Sequence, residues 1–565
     1  MSVYGSIRLA ANTLRANQIA MQVVGQNLAN ANTEGYIREE VVLSPAPTQR
    51  LGGLLLGMGV EVEAVIQKID NFLEERLRGS VSERSSNSVK EDAYLQLETM
   101  INELGDTDLS TRLNDFFSAV SEVLNQPESV SVRNLAVLQA ATLANDMNRL
   151  SERVQNLRSD LNDRVTAMAD RINRLIEEIR TLNVRITQTE GGDISKSDAV
   201  GLRDQRLKAL ENLAELIEIR VTEQTSGSVV VYAGGDFLVY DGVSRPVEVV
   251  LDNDRGLTVA DLQISETDSV LGTAGGELRG LTAARDEILG GFLDRLDSFA
   301  QTLVFEFNKI YSSGQGLQGF EQLTSEFSVD DIDLPLNSAG LKYTPTNGSF
   351  KVLVRSKATG LTETDEILVD LNGLGRELTL AGLAQKLEAV DGIHARTTSY
   401  GNLEIWAESA DQEFAFAADT SGVLASLGVN TFFSGWSARS MGVNQAVKNN
   451  PALFAASQGG IGADTKNAVV LAQFYDYPLE SEGGTTLEIL YDRLMGETTQ
   501  GSTVARAMAE GARIFEQTLR GQKLATSGVA VDEETIRLMA YQRSFQASAR
   551  YIKVLEELLA TIVSL

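Results

Sequence analysis

Cysteine is absent from this chain of 565 residues, which excludes disulfides, zinc–thiolate sites and thiol catalysis. Such an absence suits a chain exported unfolded, because no stray crosslink can form. One histidine, His394, is too few for a His-rich metal site or the two-histidine zinc peptidase motif. No Gly-Lys dipeptide offers a phosphate-cradling P-loop and no G-x-S-x-G elbow occurs, so a triad would depend on His394 alone. Basic residues are outnumbered, 49 against 78 acidic, and the formal charge of −29 repels the phosphates of nucleic acid. No apolar run reaches the length of a membrane span. The first residues mix Arg8, Asn12 and Arg15 with Ala10 and Ala11, which is not the layout of a cleaved secretory leader. The expectation is a protein that keeps its N-terminus if it leaves the cell.

The acidic groups Asp330, Asp331 and Asp333, and Asp252 with Asp254, lack the ligand spacing of a calcium loop and read as solvated turns. Gly272, Gly275, Gly276 and Gly280 read as a turn before a helix rather than a nucleotide cradle. With no catalytic constellation in view, the expectation is a protein that is not an enzyme and holds no metal or cofactor.

The charge that is present is unevenly placed. Residues 1–40 sum to zero and residues 526–565 to −1, which leaves −28 for the centre. Near-neutral ends on an acidic body are what chain ends that pack against like ends require.

Both ends are patterned as amphipathic helices. Val3, Ile7, Ala10, Leu14, Met21, Val24 and Leu28 recur at alternating intervals of three and four, with Asn17 as the polar member of the series. Leu538, Tyr541, Phe545, Ser548, Ile552, Leu555, Leu559 and Ile562 repeat the pattern, preceded by Asp532, Glu533 and Glu534 as cap and dipole complement. A narrow seam of this kind predicts coiled-coil strands. Between them, Leu143, Met147, Leu150, Val154, Leu157, Leu161, Met168, Ile172, Leu175, Ile179, Leu182 and Ile186 keep a heptad register, with Val165 beside the exception Arg164. No proline falls between Pro127 and Pro246.

A shorter helix, 202–219, follows the Gly191-Gly192-Asp193 loop. Val229–Tyr232 and Phe237–Tyr240 around Gly234-Gly235 read as a hairpin. Residues 277–311 return to helix, 320–440 are strand-like, and 505–519 are helical again. The fold class expected is mainly α with β-rich insertions, in a nested multidomain layout. Residues 1–45 with 520–565 would form a terminal coiled-coil assembly domain. Residues 46–318 with 441–519 would form a helical bundle bearing a β-hairpin, and 319–440 an inserted β-rich outer domain.

Directly behind the first helix stands Asn27-Leu28-Ala29-Asn30-Ala31-Asn32-Thr33-Glu34-Gly35-Tyr36. Asn30 and Asn32 can bond local backbone and end the helix, and Gly35 can take a positive φ. This stretch resembles the N-terminal signature of flagellar axial proteins, in which an Asn-rich turn ends in Thr-x-Gly-Tyr or Thr-x-Gly-Phe. Ser527-Gly528-Val529-Ala530-Val531-Asp532-Glu533-Glu534 and Tyr541–Arg550 are similar to the C-terminal pattern of the hook-associated protein 1 family, with Tyr551 where that family usually carries an aliphatic residue. Asp204-Gln205-Arg206-Leu207 before the hairpin and Gly35-Tyr36-Ile37-Arg38-Glu39 resemble it too. The likeness covers 1–315 and 445–565; nothing specific is seen over 320–440.

The resemblance implies a structural subunit joining hook to filament, in a homo-oligomeric ring between hook protein and the next hook-associated protein. The alternative is another axial subunit of hook or filament type. It also implies export to the extracellular flagellum without signal cleavage, aided by an export chaperone, with neither nucleic acid nor membrane as partner. The residues expected to carry assembly are Ile7, Leu14, Met21, Val24, Leu28, Asn30, Thr33, Gly35 and Tyr36, with Leu538, Tyr541, Phe545, Ile552, Leu555, Leu559 and Ile562. Ends of this type are expected to order on assembly.

Overall fold

The structure is a computed structural model that describes residues 3–33, 35–51, 54–102, 108–191, 196–272, 274–462 and 464–564. Glu34 of the motif and the Gly192-Asp193 loop lie outside the described residues, as does the side chain of Val3. From the N-terminus, α1 (Val3–Ala29) leads to β1 (Glu39–Pro45), β2 (Gln49–Leu51), β3 (Leu54–Leu56) and β4 (Val60–Gln67). Four helices follow: α2 (Asn71–Asn102), α3 (Leu109–Asn125), α4 (Val130–Glu190) and α5 (Val200–Leu216). Then come β5 (Arg220–Glu223), β6 (Val229–Ala233), β7 (Asp236–Tyr240), β8 (Val243–Ser244), β9 (Val247–Asp254), β10 (Leu257–Ile264) and β11 (Ser269–Val270). Helix α6 (Gly276–Ala283) passes through a π-helical turn at Ala284–Leu289 into α7 (Gly290–Tyr311).

The next part is strand-rich: β12 (Gln322–Thr324), β13 (Gly348–Ser356), β14 (Thr362–Val369), α8 (Leu380–Glu388), β15 (Ile393–Thr397), β16 (Leu403–Ala407) and β17 (Gln412–Ala417). After α9 (Val423–Leu427), β18 (Phe433–Ser434) and β19 (Gly442–Val443), the longer elements among the described residues are helices joined by loops. Those helices are α10 (Gln445–Asn449), α11 (Lys466–Ala472), α12 (Leu487–Ser527) and α13 (Val531–Ser564). The fold is mainly α with β-rich insertions, as the patterning predicts.

The chain separates into two compact units, one of residues 1–92, 159–285 and 503–565, the other of 93–158 and 286–502. The three-part nesting divides the chain at other places. Helices α2, α4 and α12 each contribute to both units, so packing does not break where the sequence texture changes. Helix α12 is continuous through 519/520, and residues 39–67 form strands where the bundle reading begins at 46. The reason is local: Val60, Val62 and Ala64 alternate with glutamates, and this strand pairs antiparallel with β1 across a bulge at Val42/Leu43.

In the first unit the sheets β5-β6-β7-β8 and β11-β10-β9 are tied to α4 by three asparagines. Asn162 accepts from Ala260 N at 2.7 Å and donates to Thr258 O at 3.2 Å. Asn173 brackets Val247, at 2.7 Å to its N and 2.8 Å to its O. Asn183 does the same for Val229, at 3.1 and 2.8 Å. Each amide acts as a one-residue strand neighbour. Intervals of ten and eleven residues, about three turns, keep the three on one helix face. The heptad residues lie on the buried side of α4, except that Leu175 is half-buried and Ile176 is buried beside it; Val165 is fully buried while Arg164 reaches out to Glu277 at 3.0 Å. Gly234 and Gly235, both at positive φ, make the β6–β7 turn. Gly276 opens α6 at φ 83°, where a Cβ would stand 2.5 Å from Leu216 O.

The second unit has an aromatic centre in which Phe116, Phe307, Phe432 and Phe433 lie with ring centroids 4.9 to 5.8 Å apart. The sheets β12-β16-β15 and β14-β13-β17 enclose a core with α8, whose first turn is capped by Thr379 Oγ1 accepting from Gly382 N at 3.1 Å. His394 is packed on that unit's surface, its Nδ1 2.9 Å from Glu388 and its ring 5.6 Å from Trp406. Among the described residues no helix is long and apolar enough to cross a membrane.

Candidate assembly interface

The two terminal helices lie against each other in one unit. Their direction follows from two hydrogen bonds: Asn17 Nδ2 donates to Ser544 Oγ at 2.9 Å, and Asn27 Nδ2 to Glu534 Oε2 at 3.0 Å. As α1 advances by ten residues α13 recedes by ten, so the pair is antiparallel. On α1, Val24 is buried, Ile7, Leu14, Met21 and Leu28 are half-buried, and Ala16, Ala20 and Val23 complete the buried face. On α13, Leu555 is buried and Leu538, Tyr541, Phe545, Ile552 and Leu559 are half-buried. Ile562 is 57% exposed, because the register carries it past the start of α1.

Helix α1 ends as the motif dictates. Asn30 Nδ2 folds back to Gln26 O at 3.1 Å, and Thr33 N donates to Asn30 O at 2.9 Å. Gly35 takes φ 82°, which frees the chain to turn and places Tyr36 beneath α1. Asn30 is half-buried, Thr33 and Gly35 are exposed, and the three shape the turn.

The contact that joins the two ends uses residues outside the expected set. Asn27 is 1% exposed and has every hydrogen-bonding position of its amide engaged. Its Oδ1 accepts from Tyr36 OH at 2.9 Å and Glu39 N at 3.0 Å; its Nδ2 donates to Glu39 O at 3.0 Å and to Glu534. Arg38 meets Glu534 at 2.8 Å, an ion-pair contact off the ideal hydrogen-bond direction, and Glu533 at 3.4 Å. Arg38 N also donates to Ser527 O at 2.9 Å. Burial, then the Glu39 carboxylate, pushes the Tyr36 phenol well above its usual range, and burial raises Glu39 as well. The acidic triplet therefore does not cap α13. It occupies the first turn, Ala530 O accepts Glu534 N, and Glu534 is turned inward.

A second support lies behind. Asp204 accepts from Gln67 Nε2 at 2.6 Å, and burial lifts its pKa to about 6 despite bonds from Gln67 and Ile37 N. Arg206 donates to Asn183 Oδ1 at 3.1 Å and Gly227 O at 2.7 Å. Sequence reasoning picked out Tyr36 and left Asn27, Arg38 and Glu534 unranked. The available signal is that Asn27 stands beside the seam residue Leu28 inside the motif.

These groups bind structure to structure. Among the described residues no cluster of three or more His, Asp or Glu could hold a metal ion. A second apolar line remains open on α13: Ile536, Met539, Tyr551, Val554, Leu558 and Ile562 are each 41 to 63% exposed. Paired terminal helices with an apolar side left open fit the organisation of a flagellar axial protein.

Comparison with known proteins agrees. The pattern of the flagellar hook-associated protein FlgK helical domain matches residues 94–327. That of the flagella basal body rod protein matches 7–36, and that of the flagellar basal body rod FlgEFG protein C-terminal region matches 520–565. Flagellar hook-associated protein 1 of Bacillus subtilis is 23% identical over 100% of this chain and 98% of its own length. The Escherichia coli protein of that name is 21% identical over 99% of each. The solved flagellar hook junction protein FlgK from Burkholderia pseudomallei shares the fold, with a TM-score of 0.52 and 15% identity over 80% of this chain and 100% of that one. The chain is thus similar from end to end to flagellar hook-associated protein 1 and carries the pattern of the FlgK helical domain.

Proposed function

We propose that this chain is the structural subunit that joins hook to filament in the bacterial flagellum, and that it acts by binding copies of itself through its terminal helices. The observation that carries the second half is the joint between residues 27–39 and 527–534. It holds α1 and α13 as one rod while leaving the outer apolar line of α13 uncovered. Neighbouring copies would cover that line, forming a ring seated between hook protein and the next hook-associated protein.

Work of this kind is architectural, and catalysis has no place in it. The chain reaches its place outside the cell by export without loss of its N-terminus, with a chaperone shielding the apolar ends before assembly. Labelled antibody on isolated flagella tests the placement: signal confined to the hook–filament boundary is expected. Signal along the hook or filament would favour another axial role. Replacement of Val554 and Leu558 by serine tests the mode, with loss of filament attachment expected and normal attachment counting against it.

A further inference from the structure

Within the first unit, a cavity of about 420 Å³ is lined by Arg78 of α2, Arg206 of α5 and, at its exposed side, Phe72. One of its cationic groups, Arg78, lacks the hydrogen-bonded partner that a buried charge demands. Arg78 is 8% exposed, yet among the described residues it makes no hydrogen bond or ion pair. The carboxylates nearest in charge are engaged elsewhere or open to water: Glu74 holds Lys523 at 2.8 Å, Glu211 holds Arg520 at 2.5 Å, and Glu75 is exposed. Arg206, 4% exposed, is held by Asn183, Gly227 and, at 3.5 Å, Glu223, and its buried Nε has no acceptor among the described residues. The third arginine of the lining, Arg203, is neutralised by Glu190 and Glu223, both at 2.7 Å. The Arg78 guanidinium thus lines this space with its donors unused, an arrangement that fits one small oxyanion.

The surroundings say where that anion comes from. Phe72 is 67% exposed and Phe515 of α12 is 44% exposed, and the Arg76 guanidinium sits 5.7 Å from the first ring and 5.9 Å from the second. A free ion has no use for an apolar, cationic collar, whereas a protein segment inserting an acidic side chain does. A chain with 78 acidic residues, packed beside its own copies, supplies such side chains at high local concentration.

We propose that this cavity is a socket for a carboxylate side chain of a second copy of this chain. The inference rests on the reading that copies assemble side by side, and adds a contact separate from the terminal helices. Its test places a photoreactive benzophenone amino acid at Phe72 in flagellated cells. The expected product is a homodimer of twice the chain mass, reduced about tenfold by Arg78→Leu and partly restored by Arg78→Lys. No crosslink, or a crosslink to a different protein, overturns the socket, as does a homodimer yield indifferent to Arg78→Leu. On the purified chain, succinate should raise the melting temperature of the wild type and not of Arg78→Leu. If succinate does so while no homodimer forms in flagella, the site takes only free anions and the proposal fails. Failure of the junction reading shows differently, as absence of the chain from isolated flagella by antibody.

Discussion

Asn27 meets four partners in a space closed to water, so removing its amide leaves several of them unpaired at once. Each buried donor or acceptor left unmade costs about 1–3 kcal/mol. Asn27→Ala is therefore expected to lower the stability of the first unit by about 2–4 kcal/mol in urea unfolding, allowing for relaxation around the site. Loss of the Glu534 carboxylate strands Arg38 in a buried position, which typically costs about 3–5 kcal/mol. Arg38→Met together with Glu534→Leu should cost less than the sum of the single changes, because no charge is then left alone. Additive losses would mean the pair is not coupled.

Asp204 makes a prediction in pH. Its folded pKa is lifted to about 6 from the model-compound 3.8, burial outweighing the bonds from Ile37 N and Gln67, with Glu39 and Lys523 as the charged neighbours. The folded state thus holds this proton more tightly than the unfolded chain does. The favourable contribution is complete below pH 3.8 and is lost as pH rises through 6. Asp204→Asn removes this term. The variant should gain on the wild type as pH goes from 4 to 7, and urea midpoints at those two pH values measure the change. A constant difference between variant and wild type would contradict the assignment.

Among the elements, α4 shows what a sequence does and does not disclose. Its heptads announce a long helix because apolar spacing is a property of one strand of chain read alone. The asparagine ladder was invisible, since Asn162, Asn173 and Asn183 look like solvated positions until the strands that they bracket are placed beside them. The joint of Asn27 with Glu534 was hidden for the same reason: 507 residues separate the two, and no local rule links them. Strands β1 and β4 escaped notice because a few alternating residues interrupted by Pro45, Pro47 and paired glycines carry little periodic signal. By contrast, the β6–β7 hairpin was legible, because Gly234-Gly235 between two β-branched and aromatic runs is a turn with a mechanism.

The ladder predicts a graded series. Asn183 is 1% exposed and Asn162 8%, each also accepting from an arginine, whereas Asn173 is only half-buried. Alanine at Asn183 or Asn162 should cost about 2–3 kcal/mol, and at Asn173 about 1 kcal/mol. Equal losses at the three sites would show that the amides are not acting through buried strand groups.

Across the full chain, the distribution of charge and burial fits the proposed assembly through the ends. The ends are almost neutral, so copies brought together by them meet little repulsion there, and the acidic body keeps the free subunit apart from its neighbours until the ends engage. In the free subunit, α1 and α13 pack on each other and α1 on β1 and β4, while one apolar line of α13 faces water. Two helices so thinly packed exchange with open forms far more readily than α4, whose seam is buried along its length. Amide exchange on the monomer should therefore show weak protection in residues 5–28 and 531–562 and strong protection along 143–186, with the end segments becoming protected in assembled flagella. Strong protection of 5–28 in the monomer would remove the coupling between ordering and assembly. The corresponding deletion is decisive for function: a chain without residues 1–40 and 526–565 retains the aromatic core of the second unit, so it should fold there and still fail to attach a filament. If that shortened chain restored filaments to a strain lacking the protein, the terminal helices would be dispensable and assembly would have to be carried by the body of the subunit.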